Sequence, residues 1–216
     1  MAITQVPSST TRRLEAFSDA VIAIAITLLV LEISVPRVEN DDLIDALLDQ
    51  WPSYVAFIIS FVVIGIMWVS HHSMFQRIAR VDRGLLFVNL ILLLGIAFLP
   101  FPTALLAGYV AEEGQNAHVS AAIYSATMML IGCAFSGMWA YLLSRPHLLV
   151  DGVPPDGIRR ALHRSFVSPV VYALSIGLAF VNALLCFVVY LLLAAYFVAG
   201  PSSRALTPTD VASEPE

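Results

Sequence analysis

The chain is 216 residues long, 59% apolar and 12% charged, with a formal net charge of -5 and no lysine. Soluble domains average about 45–50% apolar and about 25% charged residues, so this composition excludes an ordinary soluble domain and predicts an integral membrane protein. All eleven basic side chains are arginine. They follow one face of a membrane rather than a groove, which excludes a nucleic-acid partner.

Residues 1–11 are rich in Ser and Thr and read as a disordered tail. No basic start with an apolar core and a small-residue cleavage site is present, so no cleavable signal is expected. The first helix is predicted over 12–35. Its apolar run, Ala20–Leu31, is only 12 residues long, whereas a membrane span needs about 20. Asp19 stands at the mouth of that run. An ionisable group at membrane depth is costly unless protein or water receives it, so Asp19 is a candidate functional residue.

On a helical wheel Leu28 and Leu31 lie within about 40° of Ile24, and Asp19 lies about 140° away. Ala20 and Phe17 extend the apolar stripe, and Thr27 flanks it. Lipid contact or ordinary helix packing would account for such a stripe alone. With Asp19 turned toward its own subunit, the stripe instead faces outward, where an oligomer can gather several copies around an axis. Arg13 is six residues from Asp19, and Glu15 is a like charge at i−4, so neither pairs with it along the helix. Partners are expected from other helices at matching depth: Trp68, His71 or His72 on the second, and Asn89 on the third.

The segment 41–51 has helical periodicity and reads as a short interfacial helix, with Asp41 or Asp42 able to cap it. Alternatively, the acids of this loop (Glu39, Asp41, Asp42, Asp45, Asp49) concentrate cations near an outer mouth. The second helix is predicted over 52–74, opened by Pro52. The third covers 84–107, with Pro100 and Pro102 expected to break or kink it. The fourth covers 118–144. The apolar stretch Ser168–Val198 would be about 46 Å long as one helix, well beyond a hydrocarbon core of about 30 Å. It is therefore split near Asn182, giving 158–181 and 183–199. Cys133 and Cys186 lie in apolar runs and read as small buried hydrophobes. Residues 201–216 read as a second disordered tail.

The expected fold is all-α, a polytopic membrane protein with six transmembrane helices over 12–200. Six crossings put both termini on one side. Ten of the eleven arginines then share that side, with Arg37 alone opposite. By the positive-inside rule the termini are cytoplasmic, in a plasma or inner membrane. No nucleophile–base spacing, metal cluster or phosphate loop stands out, so neither an enzyme nor a cofactor is expected. A proton-coupled or cation secondary transporter, with Asp19 and the histidines as a relay, and a scaffold or lipid-binding protein are the other classes considered. His71 and His72 at the membrane edge could carry a pH response or be structural.

Arg13-x-x-x-Phe17-Ser18-Asp19 at the start of the first helix resembles the signature of the transmembrane protein 175 family of potassium channels. The ends of the second helix, Trp68 to His72, and of the third, Phe98-Leu99-Pro100-Phe101-Pro102-Thr103, are similar to that family as well. The resemblance implies a homotetrameric potassium channel with its pore around the first helix and its narrowest ring at Ile24. It implies further apolar rings at Leu28 and Leu31, a hydroxyl from Thr27 near the filter, and a polar network including Arg13, Ser18 and Asp19. The wheel places Arg13 near the pore stripe instead, and the two readings conflict. The Thr-Val-Gly-Tyr-Gly carbonyl filter is absent from the sequence.

Overall fold

A computed structural model describes residues 9–37, 42–109 and 114–199. Among these residues the chain forms nine α-helices and two 3-10 turns. Helix α1, Ser9–Leu28, continues into a 3-10 turn, Leu29–Glu32. Then come α2, Leu43–Asp49, and α3, Trp51–Phe75. Helices α4, Arg83–Phe98, and α5, Pro100–Tyr109, follow as one broken rod, and α6 is Gln115–Ser144. After a 3-10 turn at Pro146–Leu148 come α7, Pro155–Ser165, α8, Val167–Ala179, and α9, Ala183–Ala199.

Among the described residues, four stretches are long and apolar enough to cross a membrane: Ser9–Glu32, Trp51–Phe75, Arg83–Tyr109 and Gln115–Ser144. The break between α4 and α5 falls at Pro100. Its missing N–H leaves the Ile96 carbonyl without an i+4 partner, and the Leu99 N–H takes that carbonyl at 3.2 Å.

The expected span 158–181 is corrected. Residues 155–165 form a separate amphipathic helix, α7, carrying Arg159, Arg160, His163 and Arg164, with Ile158 fully buried. The apolar remainder is α8, 13 residues or about 20 Å long. Pro169 explains the interruption at Phe166, because its ring cannot coexist with a regular bond to the Ser165 carbonyl. The turn before α9 falls at Asn182, whose Oδ1 accepts the Leu185 N–H at 3.1 Å. That side chain caps α9.

Helix α1 begins at Ser9 rather than at Arg12 because Thr11 is held down: its hydroxyl donates to the Ala79 carbonyl at 3.2 Å. Residues 1–8 and 201–216 of the expected tails lie outside the described residues, as do Glu39, Asp41, Glu112, Glu113 and Arg204. Asp42 precedes α2 but makes no side-chain cap bond.

Helix α6 is the hub, packed against α4, α5, α7 and α8. Its approach to α8 is close at Gly132, where a Cβ would lie 2.9 Å from Pro169 Cδ. The loops after α3 and α6 pair backbone to backbone, Ala79 N–H to Leu148 O at 2.9 Å and Val150 N–H to Arg77 O at 3.0 Å. Together with the Thr11 bond, this gathers the segments bearing Arg12, Arg13, Arg77, Arg80 and Arg145 at one end of the bundle.

Asp82 anchors that end. Its Oδ1 accepts the Leu85 N–H at 2.8 Å, capping α4, and its oxygens accept the Tyr141 hydroxyl and Arg145 Nη1 at 2.8–2.9 Å. A Cβ at Gly84 would run into the Tyr141 hydroxyl, so a larger residue there must displace the end of that side chain. Desolvation raises the Asp82 pKa, but the Leu85, Tyr141 and Arg145 contacts outweigh it, so the net shift is downward from 3.8. A carboxylate whose pKa falls on folding stabilises fully above its unfolded value and loses that contribution as pH drops through the folded value. Asp82→Ala is expected to cost about 1 kcal/mol from the cap alone, which for a chain of this size is about 2–4 °C in Tm. Thermal unfolding in detergent should show the difference at pH 7 and its disappearance below the ordinary carboxylate range.

Candidate functional site

Helix α1 has two unlike faces. Thr11, Leu14, Ser18, Ile22, Ala25 and Leu29 are buried, all but Leu14 almost completely. The opposite face is open: Ile24 is 58% exposed, Leu28 41% and Leu31 73%. Phe17, Thr27 and Arg13 are exposed with them. Arg13 and Phe17 therefore stand on the stripe side, outside the polar cluster described next.

The cluster ties α1 to α3 and α4. Trp68 Nε1 donates to Asp19 Oδ1 at 3.0 Å. One turn earlier on α1 and one turn later on α3, His72 Nδ1 meets Glu15 Oε1 at 3.0 Å. The two pairs form an antiparallel ladder, since Glu15 and Asp19 are four apart and so are Trp68 and His72. Each carboxylate has its own partner, which offsets their i, i+4 repulsion. The Gln76 amide lies 3.0 Å from His72 Nε2, and the Trp68 and His72 rings stack at 6.0 Å. With the Gln76 amide donating to Nε2, His72 Nδ1–H is left to donate to Glu15.

Behind the ladder runs a fully buried chain. Ser18 Oγ donates to the Leu14 carbonyl and accepts from Asn89 Nδ2, both at 2.9 Å. Asn89 Oδ1 lies 3.0 Å from His71 Nε2. With the amide nitrogen spent on Ser18, Oδ1 is the acceptor and His71 carries its hydrogen on Nε2. His71 stacks on Phe75 at 4.3 Å, and its Nδ1 is buried without a hydrogen-bond partner.

Depth matching along the sequence nominates Trp68, His71, His72 and Asn89 as partners of Asp19. In the structure only Trp68 touches the carboxylate, while Asn89 bridges Ser18 to His71 and His72 meets Glu15. The Glu15–His72 pair was missed. Its signal was present, because each residue lies one turn along its own helix from a member of the Asp19–Trp68 pair. Thr27 turns its proton inward, donating to the Ile24 carbonyl at 2.8 Å, so its oxygen remains available as an acceptor on the open face. No group of three or more His, Cys, Asp or Glu side chains able to hold a metal occurs among the described residues.

The sequence profile described as endosomal/lysosomal potassium channel TMEM175 matches residues 13–100. That range includes α1, the ladder and the buried chain. A potassium channel of Streptomyces collinus is 45% identical over 202 residues, covering 91% of this chain and 98% of that one. The chain belongs to the TMEM175 family. The crystal structure of a Chamaesiphon minutus homologue of the lysosomal potassium-selective channel TMEM175 superposes with a TM-score of 0.79 at 39% identity. It covers 88% of this chain and 97% of that one. A zebrafish relative, called an endosomal/lysosomal proton channel, is 29% identical over 150 residues, which are 68% of this chain and 28% of that one. TMEM175 is a family of membrane ion channels rather than of enzymes.

Proposed function

We propose that this protein is a potassium-permeable channel whose pore is lined by the open face of α1, contributed by several copies around a common axis. The observation that carries the reading is the division of α1. The ladder and the buried Ser18–Asn89–His71 chain fix one face to the subunit, and Ile24, Thr27, Leu28 and Leu31 are left unpartnered on the other. The assembly is a homotetramer with six crossings per subunit, α8 and α9 supplying the last two. Both termini lie on the cytoplasmic side of the plasma membrane, which the gathering of the arginine loops at one end supports. The Streptomyces and Chamaesiphon proteins that carry the name potassium channel support the ion.

Ile24 forms the narrowest ring and Leu28 and Leu31 add apolar rings beyond it. An aliphatic ring offers no ligands, so a cation must shed or squeeze its hydration shell to pass. Sodium holds water more tightly than potassium and meets the larger barrier. Thr27 lends one oxygen per subunit, its proton already committed to the backbone. This gives a moderate preference for potassium, weaker than that of a carbonyl filter. No resident cofactor takes part; the ion is the substrate.

Purified protein in liposomes should dissipate a potassium gradient without a coupled ion and show unitary currents in planar bilayers. Flux that saturates at low turnover, or that stops unless a proton gradient is supplied, would establish a carrier instead. A pH-sensitive dye in the same vesicles separates potassium from proton permeation, which the naming of the vertebrate relatives makes the necessary comparison.

A further inference from the structure

A cleft of about 750 Å³ lies between α3, α6, α7, α8 and α9. No α1 residue lines it. The volume is in the range of specific ligand sites, about 300–1,000 Å³. Its two ends differ in chemistry. One end is bounded by Arg77, Arg160 and Arg164, with Asp151 as the carboxylate there. The other is walled by apolar side chains, among them Val63, Ile66, Met128, Ile131, Phe135 and Leu193.

Arg77 is half-buried, and no carboxylate pairs with it among the described residues. Its Nη1 donates to the Ser73 carbonyl and to Ser73 Oγ at 3.0 Å, and its guanidinium sits 5.7 Å from the Trp139 ring centroid. Burial without a compensating anion lowers its pKa. Arg164 lies over Tyr196 and Phe197 at 5.8 and 5.7 Å, so α9 closes the basic end. The lining on α3 runs from Val63 to Ser73, about 15 Å at 1.5 Å per residue, with Arg77 just past the helix end. That is half of a hydrocarbon core about 30 Å thick. The cleft is one leaflet deep, basic at the interface and oily toward the midplane.

We infer that this cleft binds an anionic phospholipid of the arginine-side leaflet, its phosphate held by Arg77, Arg160 and Arg164 and an acyl chain laid between α3, α6 and α9. The site goes beyond the conduction pathway and stands whether or not α1 forms a pore. Helix α7 is what makes it. As a basic amphipathic helix packed on α6 it lies at the headgroup level, and it supplies two of the three arginines.

The test uses the full-length protein in zwitterionic detergent micelles. Native mass spectrometry and thermal unfolding are followed while phosphatidylglycerol, phosphatidylcholine or inorganic phosphate is added. Wild type should retain one phosphatidylglycerol per protomer and gain thermal stability from it, but not from the other two. Each arginine removed should weaken retention about fivefold, in line with roughly 1 kcal/mol per basic residue at a membrane surface. Arg160→Ala is the first variant to read, since Arg160 is exposed and its side chain makes no ion pair among the described residues. Ala161→Trp blocks the cleft with all three arginines intact and should abolish retention. Equal retention of phosphatidylcholine, an equal effect from inorganic phosphate, or unchanged binding in both variants would overturn the site.

Discussion

Ile24→Asn should enlarge the current and erase most of the discrimination between potassium and sodium. On the proposed reading, the Ile24 ring taxes both ions by stripping water, and taxes sodium more. An amide at that position brings a carbonyl oxygen from every subunit and lets water through, so the difference in dehydration cost falls. A tenfold loss of discrimination is about 1.4 kcal/mol at the barrier and moves the bi-ionic reversal potential by about 60 mV. Ile24→Val keeps the ring apolar and should keep the sign of selectivity. Leu28→Asn and Leu31→Asn should act in the same direction with smaller shifts, because the proposed constriction is narrowest at Ile24. Recordings under bi-ionic conditions decide the matter. A reversal potential unchanged by Ile24→Asn would place the barrier elsewhere in the molecule.

Asn89→Leu should be the most damaging single change behind the open face of α1. Asn89 is fully buried and joins Ser18 on α1 to His71 on α3. Interhelical hydrogen bonds in membrane bundles average only about 0.6 kcal/mol, with a maximum near 1.7. The larger effect is the group left behind. The imidazole already has one nitrogen without a partner, and losing Asn89 strands the other, at about 1–3 kcal/mol for a buried orphan. A total loss of about 2–4 kcal/mol is expected, read as a lower midpoint in detergent unfolding. Adding His71→Phe removes the stranded imidazole and stacks a ring in its place, so the double variant should be more stable than the sum of the two single changes predicts. Strict additivity would mean that the Ser18–Asn89–His71 chain does not act as a unit. Trp68→Phe should cost less, since Asp19 is only half-buried and water can replace the lost donor.

The extent to which this molecule could be read from its residues follows from the kind of signal each part carries. Apolar runs longer than a bilayer are unmistakable, and α3, α6 and the α4–α5 rod needed nothing more. Asn182 offered a local reason for the turn before α9, because a side-chain amide that caps the next helix acts over three residues. Pro169 offered an equally local reason for ending α7, but the apolar run on its C-terminal side masked it, so 158–181 read as one span. The start of α1 was misplaced because Thr11 is held by Ala79, a residue 68 positions away.

The sequence alone determined that α1 has one oily face and one acidic one, and that Asp19 needs a partner from another helix. That follows from periodicity and from the cost of a lone charge in a low-dielectric interior. Only the tertiary structure decided which partner goes where: Trp68 to Asp19, His72 to Glu15, and Asn89 bridging Ser18 to His71. Hydrogen bonds depend on directions and on distances of about 3 Å, and spacing along a chain fixes neither. The same holds for the basic cleft. Arg77, Arg160 and Arg164 look in sequence like three more cytoplasmic charges, and only the packing of α7 against α6 brings them to one end of an oily slot.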